Sequence, residues 1–165
     1  MEDVVVVNEK DEVIGMMPKN EAHQNGTLHR IVVVYIENDS GEFLVQIRAD
    51  GLLDHSAAGH VFPDESYMDA GKRELLEELE ITASSLAYVG HGSTRNERQA
   101  GKISSHEFDI FTYTAEPGKL QEDEVKDVYW AKPEHVLKDM QMNGDKYCEG
   151  FKVSLPIFRS FQQTR

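Results

Sequence analysis

Three glutamates at helical spacing are the residues best able to do chemistry. Glu74, Glu77 and Glu78 stand at i, i+3 and i+4, so on a helix they share one face beside the apolar stripe of Leu75 and Leu79. Like charges so placed repel, and Arg73, which reaches Glu77 across one turn, is a single cation against three acids. A bound hard cation relieves the remainder. With oxygen ligands and no cysteine nearby, the expected ion is Mg2+, with Mn2+ as its alternative. Both take a few carboxylates, keep waters and fill their shell with substrate phosphates. An ordinary solvated helix face is the competing reading of the triplet alone.

The preceding segment separates these readings. Gly59, Glu65, Arg73-Glu74-Leu75, Glu77-Glu78 and Ile81 match every fixed position but one of the pattern G-x5-E-x7-R-E-U-x-E-E-x-G-U, with U aliphatic. Residues 59–81 therefore resemble the Nudix box. The exception is Glu80, where the pattern has glycine; it falls where the helix should end in a left-handed residue and removes no ligand. The resemblance implies an α/β fold, an α/β/α sandwich around a mixed β-sheet, with the box forming a catalytic loop-helix-loop. It implies attack of water on a diphosphate. Glu74, Glu77 and Glu78 correspond to the cation-binding carboxylates, and Gly59, Glu65 and Arg73 to the brace of loop against helix. Ala58, just before the box glycine, would contribute its carbonyl to the metal. A further acid is expected as ligand or base, Glu107 first and Glu97 second. The expected reaction centre is thus Glu74, Glu78, Glu107 and Arg73.

Outside the box the chain resembles the isopentenyl-diphosphate isomerase-like branch of the same superfamily. The likeness runs through Glu12-Val13-Ile14-Gly15, Lys19-Asn20-Glu21-Ala22-His23, Leu28-His29-Arg30, Ser56-Ala57-Ala58-Gly59-His60, His106-Glu107 and Val128-Tyr129-Trp130. Isomerases of that branch carry a cysteine just before the box glycine, where this chain has Ala58, which argues against isomerisation. His23, His29 and His60 fall near positions at which those isomerases bind a second divalent metal, together with a glutamate matching Glu107. One further acid of that set appears here as Ser105. Zinc or manganese would suit such donors. A noncatalytic nucleotide-sensing module is a further alternative, although such members usually have a degraded box.

Positioning these residues requires a mixed order of elements. Val4 to Val7 and Glu12 to Gly15 read as short strands of an N-terminal β extension over residues 1–28. The β-branched run 29–36 reads as a buried strand, and Phe43 to Arg48 as its hairpin partner across Asn38-Asp39-Ser40-Gly41. The helix is expected from Ser66, a plausible N-cap, to Leu79. Strands follow at 86–89 and 106–114 with a polar loop from Gly92 to Ser105 between them, then a strand at 127–130. Pro133 opens a helix, and residues 141–165 form a helical tail in which Val153 to Gln162 is amphipathic. No repeat or linker interrupts the chain, which reads as one Nudix domain over 1–165.

The formal charge of −13 argues against extended nucleic-acid binding, which needs a basic face. Nine acids and two bases lie between Asp50 and Glu80, so much of that excess falls around the proposed cation site. One cysteine, Cys148, forms no internal disulfide, and a cytoplasmic location is the simplest expectation. No apolar run is long enough for a signal peptide or membrane span. The expected partner is a small-molecule diphosphate substrate, and a homodimer is open. Tyr147, Phe151, Phe158 and Phe161 can stack on a base, with core packing as the competing reading.

Overall fold

The computed structural model describes residues 2–99 and 101–165. The elements run β1 (Asp3–Val7), β2 (Val13–Pro18), α1 (Lys19–Asn25), β3 (His29–Glu37), β4 (Phe43–Arg48), β5 (Leu53–Asp54), β6 (Ala57–His60), α2 (Tyr67–Leu79), β7 (Ala87–Gln99), β8 (Lys102–Thr114), β9 (Val125–Ala131), α3 (Pro133–Met142) and α4 (Glu149–Thr164). β3 is the spine. It pairs in parallel with β8 along its whole length, and its other edge meets β1, β6 and β4 in turn. Alternation along β3 divides the core: Val32, Val34 and Ile36 face Leu75 and Leu79 of α2, while Val33 and Tyr35 face Phe151, Leu155 and Phe158 of α4. Helices thus cover both faces of a mixed sheet. Among the described residues no helix is long and apolar enough to cross a membrane.

Four sequence expectations are corrected. β3 and β4 form a hairpin joined only at Glu37 and Phe43. Beyond that pair the strands part; β6 fills the edge of β3 and β5 the edge of β4. Ser56 bridges the parting strands, its hydroxyl donating to the Leu44 carbonyl at 2.6 Å and accepting from the Ile36 amide at 2.8 Å. The expected polar loop 92–105 is instead the outer half of the β7–β8 hairpin, paired from Ala87–Thr112 out to Gln99–Lys102. Backbone pairing and polar side-chain bonds hold it, among them the Asn96 amide to Ser105 Oγ at 2.9 Å and Gln99 Nε2 to the Tyr147 carbonyl at 3.1 Å, so no apolar alternation marks it in the sequence; Asn96 takes a left-handed φ of 52° at a register shift. α1 lies in the N-terminal extension where only strands were expected, and the tail helix α4 starts at Glu149, before Val153.

α2 begins at Ser66, whose side chain accepts from the Asp69 amide at 3.0 Å. Gly71 lets it approach β3 closely, since a Cβ there would meet Leu86, Val32 and Val34 at 3.0–3.3 Å. It ends at Glu80, left-handed with φ 54°, where the Glu80 and Ile81 amides close back on the Leu76 and Leu75 carbonyls. A side chain in that conformation is strained by about 1 kcal/mol. Glu80→Gly should therefore raise stability by about 1 kcal/mol in urea unfolding; a loss would show that the Glu80 side chain, which packs beside Gly118, contributes more than the strain removes.

Candidate active site

The parting of β3 and β4 opens a cleft of about 520 Å³, and α2 lies along its side. Gly59 on β6 faces Glu74 so closely that a Cβ would stand 2.1 Å from the Glu74 Oε1. Arg73 braces the loop: its Nε and Nη2 donate to Glu65 at 2.7 and 3.0 Å, Nη2 also to the His60 carbonyl at 2.9 Å, and Nη1 to Glu74 at 2.9 Å. Glu65 in turn accepts from the Phe62 amide at 2.8 Å. Loop and helix are thereby locked through one guanidinium, a geometry lysine cannot reproduce.

Glu74 and Glu78 are 6% and 4% exposed, and with Glu124 they bring carboxylate oxygens within 4.8 Å of one another. Burial, aided by the adjacent Glu77 and Glu124 and opposed by the Arg73 guanidinium, pushes the Glu74 carboxyl up to about 7. Burial and then Glu74 push Glu78 well above the carboxylate range, against the Gln46 amide. These groups resist ionisation unless a cation joins them. The donor set is all oxygen, as magnesium or manganese requires.

Two expected ligands are not among the converging carboxylates. Glu77 lies at the rim with its side chain 54% exposed and paired to Arg73 at 3.3 Å; the helix turns it outward as it turns Glu74 and Glu78 inward. Glu107 is on the opposite side of β8 from the cleft, where His91 Nε2 lies 2.6 Å away and Arg95 also binds it. Strand alternation is the reason, because His106 takes the inward position and Glu107 must point the other way. Glu97, on β7, is likewise outside the carboxylate group. Glu124, the acid that does converge, sits just before β9. The Gln121 amide bonds the Glu78 carbonyl at 3.1 Å and the Ala49 amide bonds the Glu124 carbonyl at 2.9 Å, tying this loop to α2 and to the end of β4. Its only sequence signal is the acidic run Glu122-Asp123-Glu124. Ala58 lines the cleft and its amide donates to Glu78 at 3.3 Å.

Histidines form a second cluster. His23 of α1, His29 of β3, His60 of β6 and His106 of β8 offer ring nitrogens within 4.8 Å of one another. His29 and His60 stack at 5.3 Å, and His23 and His106 stand edge-on to His29 at 5.0 and 4.5 Å. The His29 Nδ1 lies 2.7 Å from the Thr27 carbonyl and so carries the proton, leaving Nε2 a free lone pair in the cluster. His29 Nε2, His106 Nε2 and His23 Nδ1 are buried without partners. Burial holds His29 down at about 4 and His60 and His106 well below their ordinary range, so at neutral pH these rings are neutral, the ligating form. His106 was missed as a donor, although it shares strand parity with Phe108 and Ile110.

A model of the NUDIX domain matches residues 27–149. The chain belongs to the Nudix family. An isopentenyl-diphosphate Delta-isomerase of Aliivibrio fischeri is 33% identical, over 91% of this chain and 91% of that one. The uncharacterized Nudix hydrolase YfcD of Escherichia coli is 31% identical, over 81% of this chain and 75% of its own. DR0079 from Deinococcus radiodurans shares 24% identity and a TM-score of 0.69, covering 98% of each chain, a likeness of fold alone. Of the aromatics considered for base stacking, Tyr147, Phe151 and Phe158 are core residues opposite the Nudix helix, and Phe161 stands under Arg165 at 5.1 Å.

The Nudix carboxylates make the metal-free protein sensitive to pH in a defined direction. Glu74 binds its proton more tightly folded than unfolded, so its contribution to stability is full below its ordinary range and is lost as pH rises through about 7. The histidines act oppositely, so the variant isolates the effect. The melting temperature of wild type relative to Glu74→Gln should fall between pH 5 and pH 8 in chelator, and a rising or flat difference would contradict the buried-acid geometry.

Proposed function

We propose that this Nudix protein is a pyrophosphohydrolase, dependent on Mg2+ with Mn2+ as alternative, that cleaves a diphosphate bond in a nucleoside diphosphate derivative or related small molecule. The convergence of Glu74, Glu78 and Glu124 in a cleft braced by Arg73 carries this reading. These three carboxylates, with the Ala58 carbonyl, would hold the cation. When bound, it supplies neutralisation of phosphoryl charge and acidification of a coordinated water. Gly59 leaves space for Glu74, Arg73 fixes loop to helix, and the exposed carboxylate of Glu124, holding the cation through one oxygen, would accept a proton from the attacking water through the other. Neither the cytoplasmic location nor a homodimer is needed for this chemistry.

Isomerisation, the activity named for the Aliivibrio relative, is a weaker reading. The position matching the isomerase cysteine is Ala58, and Cys148 is buried against Arg48 at 3.2 Å with its thiol pushed far up by burial.

The histidines support a second metal site. With Glu107 turned away and His106 turned in, the donors are four imidazoles, a set that suits zinc better than magnesium. His23, His29, His60 and His106 would then clip α1 to β3, β6 and β8.

Two outcomes test these readings. Glu78→Gln should keep its fold yet lose at least about a hundredfold in kcat on a diphosphate panel with magnesium; near-normal turnover would sink the hydrolase assignment. Wild type dialysed against zinc should retain about one equivalent by elemental analysis, and His29→Gln with His106→Gln should retain little; equal zinc in both would remove the histidine site.

A further inference from the structure

One buried polar side chain interrupts the apolar strand β4, Phe43-Leu44-Val45-Gln46-Ile47. Leu44 and Gln46 share the face toward α2, and Leu44 packs in the core there. Gln46 is 4% exposed. Burying an amide without partners is unfavourable, so an aliphatic side chain would be the simpler occupant. Both Gln46 N–H groups are satisfied instead: Nε2 donates to the Ser56 carbonyl at 3.0 Å and to Glu78 Oε1 at 3.1 Å.

The first of these bonds is an anchor. Ser56 is the residue that bridges β3 and β4 where they part, so the amide is fixed to the point at which the two strands are tied together behind the cleft. The second bond transmits that constraint to the carboxylate. The Ala58 amide donates to the same oxygen at 3.3 Å, so Glu78 is gripped through Oε1 from two sides. An amide N–H can only donate, and it cannot itself ligate a hard cation.

We infer that Gln46 is a positioning residue: it fixes the orientation of Glu78 from the cleft floor so that this carboxylate is held ready as a cation ligand. This rests on the carboxylate site proposed above. Groups that orient a metal ligand from behind contribute roughly 10- to 100-fold in metal affinity.

The test is a Mn2+ titration of wild type and Gln46→Met followed by electron paramagnetic resonance, Met being close in volume and unable to donate. The variant should bind Mn2+ about tenfold more weakly or worse. Affinity within twofold of wild type would overturn the assignment, whatever the variant's melting temperature, because a merely structural role lowers stability and leaves the affinity of the folded protein unchanged. A measurement on wild type avoids dependence on the variant's folding: the Gln46 side-chain amide resonances should move on Mg2+ addition with the midpoint of the magnesium-induced stabilisation. Unmoved resonances at saturation would also overturn it. Should wild type take up no Mn2+, the cation site and this inference fall together; should wild type and variant bind alike, only the role of Gln46 falls.

Discussion

Two carboxylates held side by side almost out of water set the terms for everything around them. Glu74 and Glu78 are one turn apart on α2, both buried, and the guanidinium of Arg73 that reaches Glu74 is shared with Glu65, Glu77 and the His60 carbonyl. Mutual repulsion and lost hydration both favour their protonated forms. A fold that places them so must hold the helix rigidly, or the side chains would swing to solvent. The close approach of α2 at Gly71, the serine cap at Ser66 and the two-sided grip of Arg73 provide that rigidity.

The second requirement is space, and it comes from strand pairing. β3 and β4 diverge after one pair, and β6 and β5 occupy the edges that this exposes. Backbone hydrogen bonds that a continuous hairpin would make are thus replaced by pairing to β6 and β5 as the cleft opens. Gly59 must then be glycine because β6 passes directly against Glu74. The same opening exposes His23, His60 and His106 to the cleft, so two donor sets of different chemistry share one cavity, oxygen on the α2 side and nitrogen beneath α1.

How much of this was legible in the sequence depended on sequence separation. Glu74 and Glu78 lie on one helix, where spacing sets their shared face, while the places of Gly59, Glu65 and Arg73, close in the chain, followed from the resemblance to the Nudix box. Glu124 and Gln46 reach the same place through tertiary register, which no local pattern reports. Strand parity offered an intermediate case: His106 shares one face with Phe108 and Ile110, and that parity turns Glu107 to the other face of the sheet, where it is buried against His91 and Arg95. The outer β7–β8 hairpin was invisible for a different reason, since it is held by backbone pairing and by polar side chains such as Ser105 and Gln99 rather than by an alternating apolar face. The helix end at Glu80 shows local physics tolerating an unfavourable residue where capping bonds hold the conformation.

The central claim is that burial favours the protonated forms of Glu74 and Glu78 and that a bound cation displaces those protons. Calorimetric titration of the protein with Mg2+ near pH 6.5, repeated in buffers of different ionisation enthalpy, measures that exchange directly. The account predicts saturable binding with net proton release, diminished in Glu74→Gln. Binding without proton release, or no binding, would contradict it.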